Sequence, residues 1–136
     1  MIIFNASLKV HRHYVLKNNK QIVFNRKTRR SFIKSSDEVL EAKDYLVNVF
    51  RSIHDGKPPI SQYVSLKCLF YFPKEVFFNK KGERSKRVPD TSNLYQIVED
   101  ALEEAGVIEN DRLIEDHNGS RRLVGDEFRL EVELSL

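Results

Sequence analysis

The chain has 136 residues, with 23 Lys and Arg against 20 Asp and Glu for a formal charge of +3, and it contains a single cysteine and no tryptophan. That length fits one domain spanning residues 1–136, able to bury roughly two-thirds of its surface without covalent staples. The lone Cys68 excludes an internal disulfide, and no apolar run approaches the roughly 20 residues of a membrane helix, so a cytoplasmic protein without a membrane partner is expected.

The charges are segregated. Residues 1–36 carry nine Lys or Arg and no acid, whereas residues 90–136 carry thirteen acids against four bases. This asymmetry points to a polyanion for one face of the fold, and to cation-holding or structural work for some acids of the other. The plainer alternative is that the two segments pair with each other across a sheet.

Ile2 to Val10 alternates, with Phe4, Ala6, Leu8 and Val10 on one side, and predicts a strand with one buried face. Tyr14–Leu16 and Gln21–Phe24, split by Lys17-Asn18-Asn19-Lys20, predict a small hairpin with a basic tip. Ser35 and Glu38 have capping-box spacing for a helix to about Ile53, whose apolar stripe is Val39, Ala42, Leu46, Val49, Phe50 and Ile53; Asp55-Gly56 and Pro58-Pro59 stop it. Tyr63 to Phe72 is apolar on nearly every side, predicting a central strand with Cys68 as a buried thiol.

Pro73 to Pro89 then reads as a long basic loop with Lys74, Lys80, Lys81, Arg84, Lys86 and Arg87; loops of such length without their own structure tend to be functional or disordered. Within it, Phe77-Phe78 has two uses, stacking on unpaired bases or pinning the loop to the core. Leu94, Ile97, Val98, Ala101, Leu102 and Ala105 follow helical spacing, and Gly106 ends the helix. Leu113–His117 and the alternating Phe128–Leu136 predict strands turned near Gly119 and Gly125. The sum is an α+β domain with a mixed sheet and two main helices.

The chemistry concentrates in Val88-Pro89-Asp90-Thr91-Ser92-Asn93-Leu94 and in Asn110-Asp111 beyond the helix. Asp90 stands at the helix entrance with Ser92 two residues on, and Asp111 follows a segment short enough to fold back beside the strand that delivers Asp90. Magnesium takes oxygen ligands and keeps several waters, so two or three protein oxygens and a substrate phosphate suffice. The same residues have ordinary uses: Asp90 as a helix cap, Ser92 as a first-turn hydroxyl, Asp111 as a turn residue. Asp116-His117 offers an acid and a base side by side, although a strand-end histidine is commonly structural.

Pro89-Asp90-Thr91-Ser92-Asn93-Leu94, Glu99-Asp100-Ala101-Leu102, Ala105-Gly106 and Asn110-Asp111 with Leu113-Ile114 together resemble the signature of the RusA family of Holliday junction resolvases. The family reads roughly Asp-x-Asp-Asn-Leu at a helix start, Asp-Ala-Leu within it, Gly at its end and Asp-Asp before the next strand. The resemblance is close over about 30 residues and, upstream, agrees in the order of elements more than in sequence. It implies a RusA-like fold and a homodimer in a bacterial or phage-infected cell. It also implies paired nicking of four-way or branched DNA with Mg2+ (Mn2+ as substitute) and no small-molecule cofactor.

The family's first aspartate falls on Asp90, its third on Asp111 and its helix-start asparagine on Asn93. Ser92 stands where the second aspartate is expected and Gln96 where an assisting lysine is expected. The implied metal ligands are thus Asp90, Asp111 and Ser92, with Asn93 positioning the helix entry. Lys80, Lys81, Arg84, Lys86, Arg87, Arg26, Lys27, Arg29 and Arg30 are the expected DNA contacts. A catalytically weak or inactive branched-DNA binder on the same fold is the competing expectation. An RNA-binding or RNA-cleaving module fits the basic and aromatic content but not the aspartate pattern.

Overall fold

The computed structural model describes residues 1–10, 20–25, 30–35 and 37–136, with side chains described for 1–10 and 40–136. In chain order the elements are β1 (Ile2–Lys9), β2 (Lys20–Asn25), β3 (Arg30–Ser35), α1 (Asp37–His54), β4 (Val64–Pro73), α2 (Lys74–Phe77), α3 (Thr91–Glu104), β5 (Ile114–Asp116), β6 (Arg121–Gly125) and β7 (Arg129–Ser135). Strands 1, 7, 4, 5 and 6 form a mixed sheet, and β2 pairs with β3 as a separate ribbon. No helix among the described residues is long and apolar enough to cross a membrane.

β4 is central, as its largely apolar character predicts, with Ser65 and Lys67 falling on its less buried face. β7 runs antiparallel along one edge of it, while β5 and β6 lie parallel along the other. Its inward residues Val64, Leu66, Cys68, Phe70 and Phe72 are buried, and they meet Phe4, Ala6 and Leu8 of β1 and Leu130, Val132 and Leu134 of β7 in one core. α1 and α3 close that face with Leu46, Val47 and Phe50 from the first and Leu94, Ile97, Val98, Ala101 and Leu102 from the second. Each such side chain contributes roughly 1.5–3 kcal/mol when fully removed from water. Between the helices, Lys43 pairs with Glu104 at 3.0 Å.

The opposite sheet face is polar and pairs its own charges: Lys9 with Glu127 at 3.0 Å, Lys67 with Glu133 at 3.9 Å, and Arg129 with Glu127 at 3.6 Å, Arg129 also donating to Ser7 Oγ at 2.8 Å. The Lys9 pair is the part of the basic N-terminal segment whose pairing with the acidic C-terminal half is described.

β5 meets β4 only at Val64 and Ser65, and β6 only from Leu69 onward. The gap is closed by one side chain. Ser120 Oγ accepts from Cys68 N–H at 2.8 Å and donates to Leu66 C=O at 3.3 Å, standing in for the missing strand backbone.

Several expectations need correction. The hairpin pairs 20–25 with 30–35, setting Ile22 opposite Ile33 and Val23 opposite Phe32; residues 14–16 lie outside the described residues, and so does the capping-box pair's side chains. Along α1 the buried line runs Ala42, Leu46, Phe50 and His54 with Val47 beside it, leaving Ile53 exposed. The loop after β4 is not structureless. It begins with α2 and continues as a turn whose Asn79 side chain accepts from Lys81 N–H and Glu83 N–H, with Phe78 bridged to Arg84. Phe77 is buried, edge-on to Phe78 at 5.0 Å, and Arg84 lies 4.0 Å above its ring. The aromatic pair therefore pins the turn to the core.

Candidate active site

Pro89 fixes its own backbone and holds Val88 extended, so the chain enters α3 abruptly. Asp90 is the N-cap residue (φ −62°, ψ 149°), and its C=O takes the first helical bonds from Asn93 N–H at 3.1 Å and Leu94 N–H at 3.2 Å. Its carboxylate makes no capping hydrogen bond. An aspartate at this position ordinarily accepts from the second or third helical N–H; here the exposed carboxylate is left for other work. Ser92 is exposed two residues on, and Asn93 is half-buried.

The far end of α3 is a complete Schellman termination. Val107 N–H bonds Leu102 C=O and Gly106 N–H bonds Glu103 C=O, both at 3.0 Å, with Gly106 at φ 78°. The chain then runs to Asn110, whose side chain accepts from Arg112 N–H at 2.9 Å and caps a short 3-10 turn over Asp111–Leu113. Asn110 thereby does the local structural work, and Asp111 stays exposed. Its N–H donates to Glu103 Oε1 at 3.2 Å.

That bond fixes Asp111 at the C-terminal end of α3. Fourteen helical residues at about 1.5 Å each lie between it and Asp90, a separation of about 20 Å. The sheet gives the same result, since Ile114 pairs with Val64, whereas Arg122, which touches the Asp90 segment, pairs with Phe70 six residues further along β4. The expectation that Asp111 folds back beside Asp90 is thus corrected: within one copy they do not share a cation shell. Among the described residues no three His, Cys, Asp or Glu form a metal-holding group. The head of α3 offers one carboxylate, Asp90, and two hydroxyls, Thr91 and Ser92, a donor set that suits magnesium only when substrate phosphate and water complete it.

Asp116 and His117 are not an acid–base pair. Asp116 accepts from Ser65 Oγ at 2.9 Å on the open sheet face, while His117 Nε2 is 2.6 Å from Glu99 Oε1 and its ring stacks on Tyr95 at 4.1 Å. Helical spacing of Tyr95 and Glu99 is the one sequence signal for that cluster. Cys68 lies beneath it, where burial, and secondarily the charge of Glu99, pushes the thiol far above its ordinary range. This is an inert cysteine.

Basic residues flank the entrance. Lys80, Lys81, Arg84, Lys86 and Arg87 are all exposed on the turn after α2, and the first two and last two form no ion pair among the described residues. Arg26, Lys27 and Arg29 lie outside the described residues, as does the side chain of Arg30. A residue absent from the expectations also reaches the site: Arg122 of β6 donates from Nη1 to Pro89 C=O at 3.2 Å. Compared with known proteins, the chain matches no curated relative, but residues 10–135 match a family model described as Endodeoxyribonuclease RusA.

Proposed function

The chain belongs to the RusA endodeoxyribonuclease family, and on that premise we propose that it resolves Holliday and other branched DNA junctions by paired, magnesium-dependent nicks. The observation that carries this reading is the Asp90 carboxylate at the head of α3, free of any capping bond and three residues beyond Arg87, which has no ion pair among the described residues. A helix cap would use that carboxylate; a phosphodiesterase site leaves it open.

Asp90 and Ser92 would hold the ion, with Mn2+ as a substitute, and Asp111 stands outside that shell within one copy. A bound ion supplies polarisation of the scissile phosphate and a bound water of lowered pKa. The remaining work falls to the chain. N–H groups of the first turn of α3, uncapped by Asp90, face an incoming phosphate with the helix dipole behind them. Asn93 fixes the entry of the chain into the helix through its bond to Asp90. Lys80, Lys81, Lys86 and Arg87 contact flanking phosphates, which sets position on the DNA without reading bases. Symmetric cuts on a two-fold junction call for a two-fold protein, so the working form is a homodimer.

One observation favours a second reading, a branched-DNA binder without catalysis: the head of α3 carries a single carboxylate. A labelled four-way junction incubated with the protein and Mg2+ separates the two. Nicks that disappear in Asp90→Asn, with the gel shift retained, support cleavage; a gel shift without nicks supports the binder.

A further inference from the structure

Among the described residues Arg122 has no carboxylate paired with it. Parallel pairing places it opposite Phe70 of β4, a fully buried residue of the helix-covered face, so Arg122 projects on that same face at the sheet margin. There the residue is half-buried, and its guanidinium spends one N–H on Pro89 C=O, the carbonyl of the peptide that carries Asp90 nitrogen. Its strand partner Phe70 packs against Tyr95 at 5.7 Å, and Tyr95 stacks on His117. Among the described residues no carboxylate pairs with it, in contrast to Lys9, Lys43, Lys67 and Arg129.

Removing a charge from water without a counter-ion is costly. A guanidinium has five N–H donors in a rigid fork suited to phosphate, and it stays charged at any working pH. An arginine fixed by its bond to the peptide that leads into Asp90, with donors left over, is arranged for an anionic ligand delivered to the head of α3.

We propose that Arg122 is a catalytic residue that contacts a non-bridging oxygen of the scissile phosphate at the head of α3. This inference rests on the cleavage function proposed above. In the step it serves, a water oxygen bonds to phosphorus as the bond from phosphorus to the 3′ oxygen breaks. The water's surplus proton passes to solvent, and the 3′ oxygen takes a proton from solvent. Arg122 moves no proton; its donors meet the charge that builds on the phosphoryl oxygens, an interaction stronger in the transition state than in the bound junction.

The test is the kinetics of junction cleavage by Arg122→Gln, Arg122→Lys and Arg122→Ala beside the wild type. Arg122→Gln should lower kcat by about a hundredfold or more while changing junction affinity little, Arg122→Lys should retain part of the activity, and millimolar guanidinium ion should partly restore Arg122→Ala. An Arg122→Gln protein with wild-type kcat, or one whose loss follows only from a lowered melting temperature and is not relieved by guanidinium, overturns the inference and leaves the nuclease reading standing. A wild type that binds junctions and never nicks them contradicts that reading itself, and the role of Arg122 falls with it.

Discussion

At Asp90 one carboxylate has two uses, and the backbone bonds of Asn93 and Leu94 show that α3 starts without its side chain. Asp90→Asn should therefore abolish cleavage while changing unfolding free energy by no more than about 0.5 kcal/mol, measured by denaturant titration; a large loss of stability would make the residue structural. Ser92 tests the cation shell. Ser92→Asp adds an anionic oxygen beside Asp90 and should lower the Mg2+ concentration for half-maximal cleavage by about tenfold, equivalent to about 1.4 kcal/mol of metal binding, whereas Ser92→Ala should raise it. Identical metal dependence in all three proteins would remove Ser92 from the shell. Asp90 was legible in the sequence because proline and a helical apolar stripe bracket it. Arg122 was not: it follows Arg121, chemically the same residue, and only the pleat sends one to each face of the sheet.

Among the elements, α3 was the most readable, since its stripe, its N-cap and its glycine terminator all recur in the structure. β1 and β4 were legible for the same reason, a period matched to burial. The margin formed by β5 and β6 was hidden, because two short strands share one edge of β4 and a side chain, which has no periodicity, completes the ladder. That side chain gives a prediction. Ser120→Ala leaves the N–H of Cys68 and the C=O of Leu66 without their partner and should cost about 1–3 kcal/mol in equilibrium unfolding; an unchanged midpoint would mean that water or a shifted strand replaces the hydroxyl. The turn after α2 escaped a period-based reading as well, since Asn79 and the Phe77–Phe78 contact organise it locally. It carries the basic residues on an internally bonded turn just ahead of Asp90 in the chain.

Across the whole molecule, charge pairing distinguishes two surfaces. The open sheet face neutralises itself through Lys9, Lys67 and Arg129, and among the described residues the turn of residues 79–87 leaves its lysines without ion pairs. Lys86→Glu with Arg87→Glu should weaken binding to all junctions alike and reduce the salt slope by about 0.9 per lost phosphate contact, whereas Lys67→Glu should leave the slope unchanged; an equal effect from both would place DNA elsewhere. Coupled cleavage of a junction is read out with a supercoiled plasmid that extrudes a cruciform. A first nick releases the supercoiling that sustains the junction, so only two nicks made within one bound complex yield linear product. Incubated with Mg2+, the wild-type chain is predicted to convert the plasmid to linear form and Asp90→Asn to bind it without cutting. Plasmid that stays closed in both Mg2+ and Mn2+ while the protein is bound to it would contradict junction cleavage.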